Sequence, residues 1–405
     1  MHWPMSPLTR RRFLLGSGAL AVSAAIPNAL FAYTGGSSRL VVVIMRGALD
    51  GLAAAPPYAD PDYASLHREL TIAAPGAADG ALKLDNTFGL HPSLAFLHER
   101  YLGGELLVFH GVASPYRDRS HFDGQNVLEN GLSKPLGSAD GWLNRALAAM
   151  PRSAHLPERA VAISQNVPLI LRGEAPVLSK SPLATPDVDE DLLSRLADLY
   201  SKDDWFSARL SEAVQTEKLS DDSGGMKMNQ APPADRITGV ARMAGTLMKS
   251  EDGPQIAVLE ATGWDTHANQ GGAKGVLAQR LAGLDHALRT LAEELGALWP
   301  QTAVLVVTEF GRTAAMNGTR GTDHGTGGCA FLAGGAVRGG RVIADWPGLS
   351  HTALLDNRDL RPTLDLRSVF KGVLDEHMHV DARTLDSRIF PDSSHARPLQ
   401  GLMRG

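Results

Sequence analysis

The sequence predicts an α/β fold: a central, mostly parallel sheet flanked by helices. Three observations predict it. Short apolar runs alternate with longer segments of helical spacing, the pattern of βα units. The runs are continuous rather than alternating, which marks strands buried on both faces. Three of them end in an acid or lead into an Asp-x-His step, at the strand end where open α/β sheets gather ligands.

Taken in order, residues 39–52 read RLVVVIMRGALDGL, with a first strand over 41–45 and Asp50 just beyond it. Residues 91–104, HPSLAFLHERYLGG, carry helical apolar spacing that stops at a Gly-Gly pair. Residues 105–113, ELLVFHGVA, form the next strand, and AVAISQ and VPLILRG follow between 160 and 173 as two more. Residues 182–249 change character: a charged helical stretch, a flexible SDDSGGMKMNQAPP joint, then ADRITGVARMAGTLMKS. This predicts a helical insertion or cap. Alternation then resumes with a strand over 255–263. A helix follows whose leucines 277, 281, 284, 288, 291, 295 and 298 recur at steps of four and three, and then come the strands AVLVVTEFG and CAFLAGG.

The chain has 405 residues, 43% of them hydrophobic and 20% charged, with a net charge of −5, ample for a packed core. The mild negative balance lacks the basic footprint of a nucleic-acid binder, so no nucleic-acid partner is expected. A single cysteine, Cys329, excludes an intrachain disulfide and a Cys-based zinc site. At the N-terminus, TRRRFLL over 9–15 precedes a weakly apolar GSGALAVSAAIPNALFA. Paired arginines and a small residue at the cut mark a twin-arginine export signal over 1–32. The expectation is a mature α/β domain over 33–405 in the periplasm, with the twin-arginine machinery as partner. The apolar stretch is too short for a membrane span, so none should remain after cleavage.

The chemistry sits at three strand ends. Asp50 follows the first strand, Asp265 and His267 (in TGWDTH) follow the strand over 255–263, and Glu309 follows residues 304–308. Carboxylates brought to one rim repel each other unless a cation holds them. With His324 added, Asp50, Asp265, His267, Glu309 and His324 make a mixed O/N set suited to one or two divalent ions, zinc or manganese. Glu309 could instead pair with Arg312. Ser120 can open a helix over 120–129, where it is either an N-cap or a nucleophile at the positive end of the helix. His121 and Asp123 can be ligands or move protons, and Arg117 and Arg119 can hold an anionic group.

These residues lie in strings that resemble one family. RGALDGL, HPSLAFLHERYLGGELLVFHGVASPYRDRSHFDGQ, GWDTHANQGG, VVTEFGRT, DHGTGG and FLAGGAVRGGRV, in that order, are similar to the DUF1501 family of exported bacterial proteins. That family is grouped with the alkaline phosphatase-like superfamily. The resemblance implies a two-metal centre, a serine or related nucleophile at Ser120, and Asp50, Asp265, His267, Glu309 and His324 as ligands. It also implies an anionic small-molecule or polymer ester as substrate, hence a metal-dependent hydrolase of a phosphoester or related ester. The alternative is a non-catalytic periplasmic binding or assembly protein on the same scaffold, with one structural metal. Three departures stand out. Glu309-Phe310 occupies the superfamily's Asp-His step, the Asp-to-His spacing in DTH is shorter than usual, and Ala113 in ASPYR stands at a sulfatase's formylglycine position. These leave a second metal weakly held, absent or ligated differently, for example by His121.

Overall fold

The computed structural model describes residues 38–151, 158–182, 233–250 and 252–405. The expected signal over 1–32, and residues 183–232 of the expected insertion, lie outside the described residues. The strands are β1 (Arg39–Arg46), β2 (Leu82–Lys83), β3 (Gly89–Leu90), β4 (Leu106–Ala113), β5 (Ala160–Ile163), β6 (Leu178–Lys180), β7 (Ile256–Thr262), β8 (Thr302–Thr308), β9 (Gly328–Ala333), β10 (Arg341–Ile343) and β11 (Leu364–Asp365). Nine of them form one sheet in the order β10-β4-β9-β8-β1-β7-β5-β6, with β11 paired to β4; β2 and β3 make a small separate hairpin. Every pairing in the large sheet is parallel except those of β9, which runs antiparallel to both β4 and β8. The mostly parallel α/β sheet that the sequence predicts is therefore present, with one reversed strand that no local pattern announces.

Continuous apolar runs fill both faces. In β1, Val41, Val43 and Met45 join one core cluster, and Leu40, Val42 and Ile44 join the other. The first face is covered by α2 (Ala95–Leu102), α5 (Pro233–Lys249) and α6 (Val276–Leu295). The second is covered by α4 (Trp142–Ala149) and α7 (Leu366–Glu376). The leucine stripe of α6 packs inward as its spacing predicts, with Leu277, Leu281, Leu284, Leu288, Leu291 and Leu295 buried.

One expectation changes. VPLILRG is not a strand: Leu169–Leu171 form a single 3₁₀ turn after Pro168, which has no N–H for a ladder. The second helical stretch of 182–249 is a helix, as its spacing predicts. As α5 it lays Ile237, Val240, Ala241, Ala244, Leu247 and Met248 into the main core.

The register aligns the functional rim. Arg46 pairs with Thr262 and Met45 with Thr308, so β1, β7 and β8 end at one level. β4 points the same way, because β9 is antiparallel to both β4 and β8. Its exit leads through Ser114–Arg119 to α3 (His121–Asn130).

Candidate metal centre

Four side chains meet at this rim. Nε2 of His324 lies 3.1 Å from Oδ1 of Asp265, and Nε2 of His267 lies 3.0 Å from the same oxygen. The two imidazole nitrogens are 3.0 Å apart. His121, from the first turn of α3, places Nε2 3.4 Å from Oδ2 of Asp265. Ligand atoms of His121, Asp265 and His324 all lie within 4.8 Å of one another. A tetrahedral ion with bonds of about 2.0–2.1 Å separates its ligands by about 3.3 Å, so these spacings fit one.

Each imidazole is tethered through its other nitrogen. Nδ1 of His324 bonds the Arg119 carbonyl at 2.9 Å, Nδ1 of His267 bonds Oδ1 of Asp323 at 3.1 Å, and Nδ1 of His121 bonds Oε1 of Glu309 at 2.8 Å. All three acceptors are oxygens, so each Nδ1 carries a hydrogen and each Nε2 of a neutral ring carries a lone pair. Outer-sphere tethering of this kind is how metal-binding histidines are held. Three lone pairs and a carboxylate at such distances repel unless a proton or a cation lies among them. Nε2 of His121 is buried yet makes no hydrogen bond, although Asp265 stands at ion-pair distance. Such an orphaned atom is what a metal ligand looks like when only protein atoms are considered.

The titration tendencies of the rings differ. Glu309's hydrogen bond raises the His121 imidazole above its ordinary value, against burial. Burial lowers His324, with the Arg119 carbonyl pulling the other way. Burial would raise Asp265, but the hydrogen bond and charge of Arg312 outweigh it and hold the carboxyl below its usual range. Nη1 of Arg312 reaches Oδ1 of Asp265 at 2.5 Å, and its Nε bonds Oγ1 of Thr322 at 3.1 Å. Asp323 is held below its ordinary value mainly by the Asn317 side-chain amide.

Of the predicted ligands, Asp265, His267 and His324 are brought together. Asp50 and Glu309 are not part of the group. Asp50 caps the short helix α1 (Gly51–Ala54), with Oδ1 accepting from the amides of Leu52 and Ala53 at 3.0 and 3.1 Å. Its Oδ2 accepts from Nε2 of Gln270 at 2.7 Å, so both oxygens are engaged. Glu309 is fully buried with four donors around it. Gly47 N, His121 Nδ1 and Gln125 Nε2 reach Oε1 at 2.9, 2.8 and 3.1 Å, and Thr308 Oγ1 reaches Oε2 at 2.9 Å. The alternative partner, Arg312, is committed to Asp265.

Ser120 occupies the N-cap position of α3, as its spacing predicts, but its side chain makes no capping hydrogen bond. Its amide instead donates to the Tyr116 hydroxyl at 3.2 Å. Arg117 turns its guanidinium back onto the carbonyls of Ser114 and Tyr116, the latter at 2.7 Å, and no carboxylate among the described residues pairs with it. Arg119 is committed to Asp359 at 2.7 Å. Tyr116 also donates to Asp123 at 3.4 Å, which makes Asp123 a loop brace. Phe310, where the resembled pattern has an imidazole, stacks on His121 with ring centroids 5.1 Å apart. Sequence reasoning assigned no role to Asp323 or Gln125. Asp323 stands beside His324 in DHG, and that adjacency was the available signal.

Backbone geometry sets the site. Gly47 turns at φ +120°, and a Cβ there would lie 2.8 Å from the Asp265 amide. Gly124 lets α3 approach Phe310, where a Cβ would meet the ring at 2.9 Å.

Residues 37–389 match the family model described as "Protein of unknown function (DUF1501)". The chain belongs to the DUF1501 family. Curated proteins give no match to this DUF1501 chain. Among solved structures, Ps i-CgsB in complex with k-i-k-neocarrahexaose is similar at 9% identity and TM-score 0.41, over 89% of this chain and 77% of its own. The phosphonate monoester hydrolase of Agrobacterium radiobacter is similar at 10% identity and TM-score 0.34, over 83% and 73%. The C-terminal periplasmic domain of EcEptC from Escherichia coli, in complex with Zn, is similar at 10% identity and TM-score 0.32, over 73% and 72%. No helix among the described residues is long and apolar enough to cross a membrane.

Proposed function

We propose that this DUF1501 protein is an exported, metal-dependent hydrolase of a phosphoester or related ester, with Ser120 as the attacking group. The observation that carries the reading is the convergence of three tethered imidazole Nε2 atoms on Asp265. Imidazole nitrogens gathered on one carboxylate suit zinc better than manganese, which favours oxygen-rich shells. The ion, when bound, would polarise the ester and offset developing negative charge.

The remaining steps belong to the chain. Ser120 stands at the N-terminus of α3, whose dipole end and free amides favour an anion beside its hydroxyl. That hydroxyl is not spent on capping. Arg117, the loop cation not paired with a carboxylate, holds the anionic group of the substrate. The resemblance to the alkaline phosphatase-like superfamily supports the serine. The twin-arginine pattern supports folded export to the periplasm by that machinery, with metal already loaded.

A second reading is favoured by the commitment of Asp50 to a helix cap and of Glu309 to His121, which leaves donors for one ion. It is a non-catalytic binding or assembly protein that keeps a single structural metal. Metal analysis, with a panel of phosphomonoesters, phosphodiesters and sulfate esters, separates the two. Stoichiometric metal with turnover that Ser120→Ala abolishes and Ser120→Thr retains supports the hydrolase. Metal without turnover of any ester supports the second reading.

A further inference from the structure

We propose that Glu309 is a positioning residue of this centre: acting through His121, it decides which imidazole nitrogen faces the ion. The inference rests on the metal reading above and adds a role for a residue that does not reach the ion.

Glu309 sits at the tip of β8 with no exposure. A buried carboxylate is costly unless its lone pairs are satisfied. Here the donors come from three separate segments. The amide of Gly47 follows β1, Gln125 and His121 lie on α3, and Thr308 ends β8. None of the four is a guanidinium or an ammonium. Among the described residues its one ionisable partner is therefore His121. That ring must present Nδ1–H to the oxygen 2.8 Å away, which leaves Nε2 as the atom turned toward Asp265. Phe310 fixes the plane of the ring from one face, at 25° to it. For Glu309 to bind the ion through Oε1 it would have to give up the Gly47, Gln125 and His121 donors together, and Oε2 is turned to the Thr308 hydroxyl.

The charges divide in the same way. Asp265 is balanced by Arg312, and Asp323 accompanies His267. Among the described residues the only group that can bring a positive charge to Glu309 is His121, protonated or bound to a metal ion. A neutral amide at 309 would keep the shape of the site but lose the strong acceptor that enforces the tautomer.

The test uses the full-length protein with zinc and cobalt as probes. Zinc affinity is measured by competition with a chromophoric chelator for wild type, Glu309→Gln, His121→Ala and the double variant. Coordination is read from the visible spectrum of the cobalt form. Loss of an outer-sphere partner should weaken zinc binding about 10–100-fold and alter the cobalt spectrum. In the His121→Ala background the same Glu309→Gln change should alter affinity by less than about twofold, because the residue acts through His121. Equal losses with and without His121, or an unchanged affinity in Glu309→Gln, would overturn the proposal while leaving the metal reading standing. If Glu309→Gln does not fold, ¹⁵N NMR of the histidines in zinc-loaded wild type decides. His121, assigned by its absence in His121→Ala, must show Nδ1 protonated and Nε2 metal-bound, and the reverse tautomer overturns the proposal. A wild type that binds no zinc sinks this inference together with the metal reading.

Discussion

Nε2 of His267 and Nε2 of His324 face each other at 3.0 Å, each ring tethered by its Nδ1 to an oxygen. In neutral rings those nitrogens would point lone pairs at each other, so the arrangement predicts a bound cation. Zinc should bind one per chain, and His324→Ala or His267→Ala should weaken it by at least about 100-fold. At a zinc concentration 100 times the wild-type dissociation constant, the ion should add about 2.7 kcal/mol to wild-type stability, and this gain should fall to about 0.4 kcal/mol or less in either variant. Calorimetric titration combined with thermal melts checks both, and zinc binding that is indifferent to these histidines contradicts the assignment.

Gly47 links the first strand to the site. Its φ is +120°, and an added Cβ would meet the Asp265 backbone at 2.8 Å, whereas Gly76, at φ +92°, has nothing within 4 Å. Gly76→Ala should therefore cost only backbone strain, about 1–2 kcal/mol, with zinc affinity unchanged. Gly47→Ala should cost more and weaken zinc binding, because it displaces Asp265 and the amide that donates to Glu309. Urea unfolding and zinc titration of the pair test this, and equal behaviour would contradict the close packing of the two loops.

His110 gives the fold an acid limit. It lies fully buried between Phe88 and Trp346, with Nε2 bonded to the Ala55 carbonyl at 3.0 Å and Nδ1 accepting the Gly111 amide at 3.0 Å. Burial lowers its pKa to about 4. Between that value and about 6.5 the unfolded chain takes up a proton that the folded chain refuses. Stability should be full above pH 6.5 and decline as the pH falls toward 4, by roughly 3 kcal/mol at most from this residue. His110→Gln should flatten that slope in urea-unfolding series, and an unchanged slope would assign the acid limb to other groups.

Much of this was legible in the sequence, and what was not has physical causes. Continuous runs such as residues 41–45 and 304–308 read as strands buried on both faces, so the parallel centre and its ligand rim followed. Asp50 and Asp265 look alike in sequence, each an acid just past a strand. They part only in three dimensions, where Asp50 finds the amides of Leu52 and Ala53 and the amide of Gln270. Glu309 was rightly placed at the rim, but its donors come from residues 47 and 125, far along the chain. His121 was visible as a titratable residue beside Ser120. Its seat on Phe310 depends on how α3 packs. The reversal of β9 left no local mark because its residues are buried on both faces like those of its neighbours.

Ser120→Ala separates capping from catalysis. A working N-cap contributes about 1 kcal/mol, but the Ser120 side chain makes no capping bond. The substitution should therefore leave stability within a few tenths of a kcal/mol and metal content intact, while turnover of any ester that the wild type cleaves disappears. Retained turnover would remove the serine from the mechanism.

Export should require both Arg10 and Arg11. A twin-lysine variant is expected to accumulate as uncleaved precursor in the cytoplasm, scored by fractionation and immunoblotting. Normal delivery of that variant to the periplasm would contradict folded export and the loading of metal before it.

The most direct measurement is anomalous diffraction at the zinc edge from a crystal of the zinc-loaded protein. The account predicts one strong peak about 2.0–2.2 Å from Nε2 of His121, His267 and His324 and from a carboxylate oxygen of Asp265, with Asp50 and Glu309 outside the shell. A peak bonded to Asp50 or Glu309, or no peak at this rim, would contradict it.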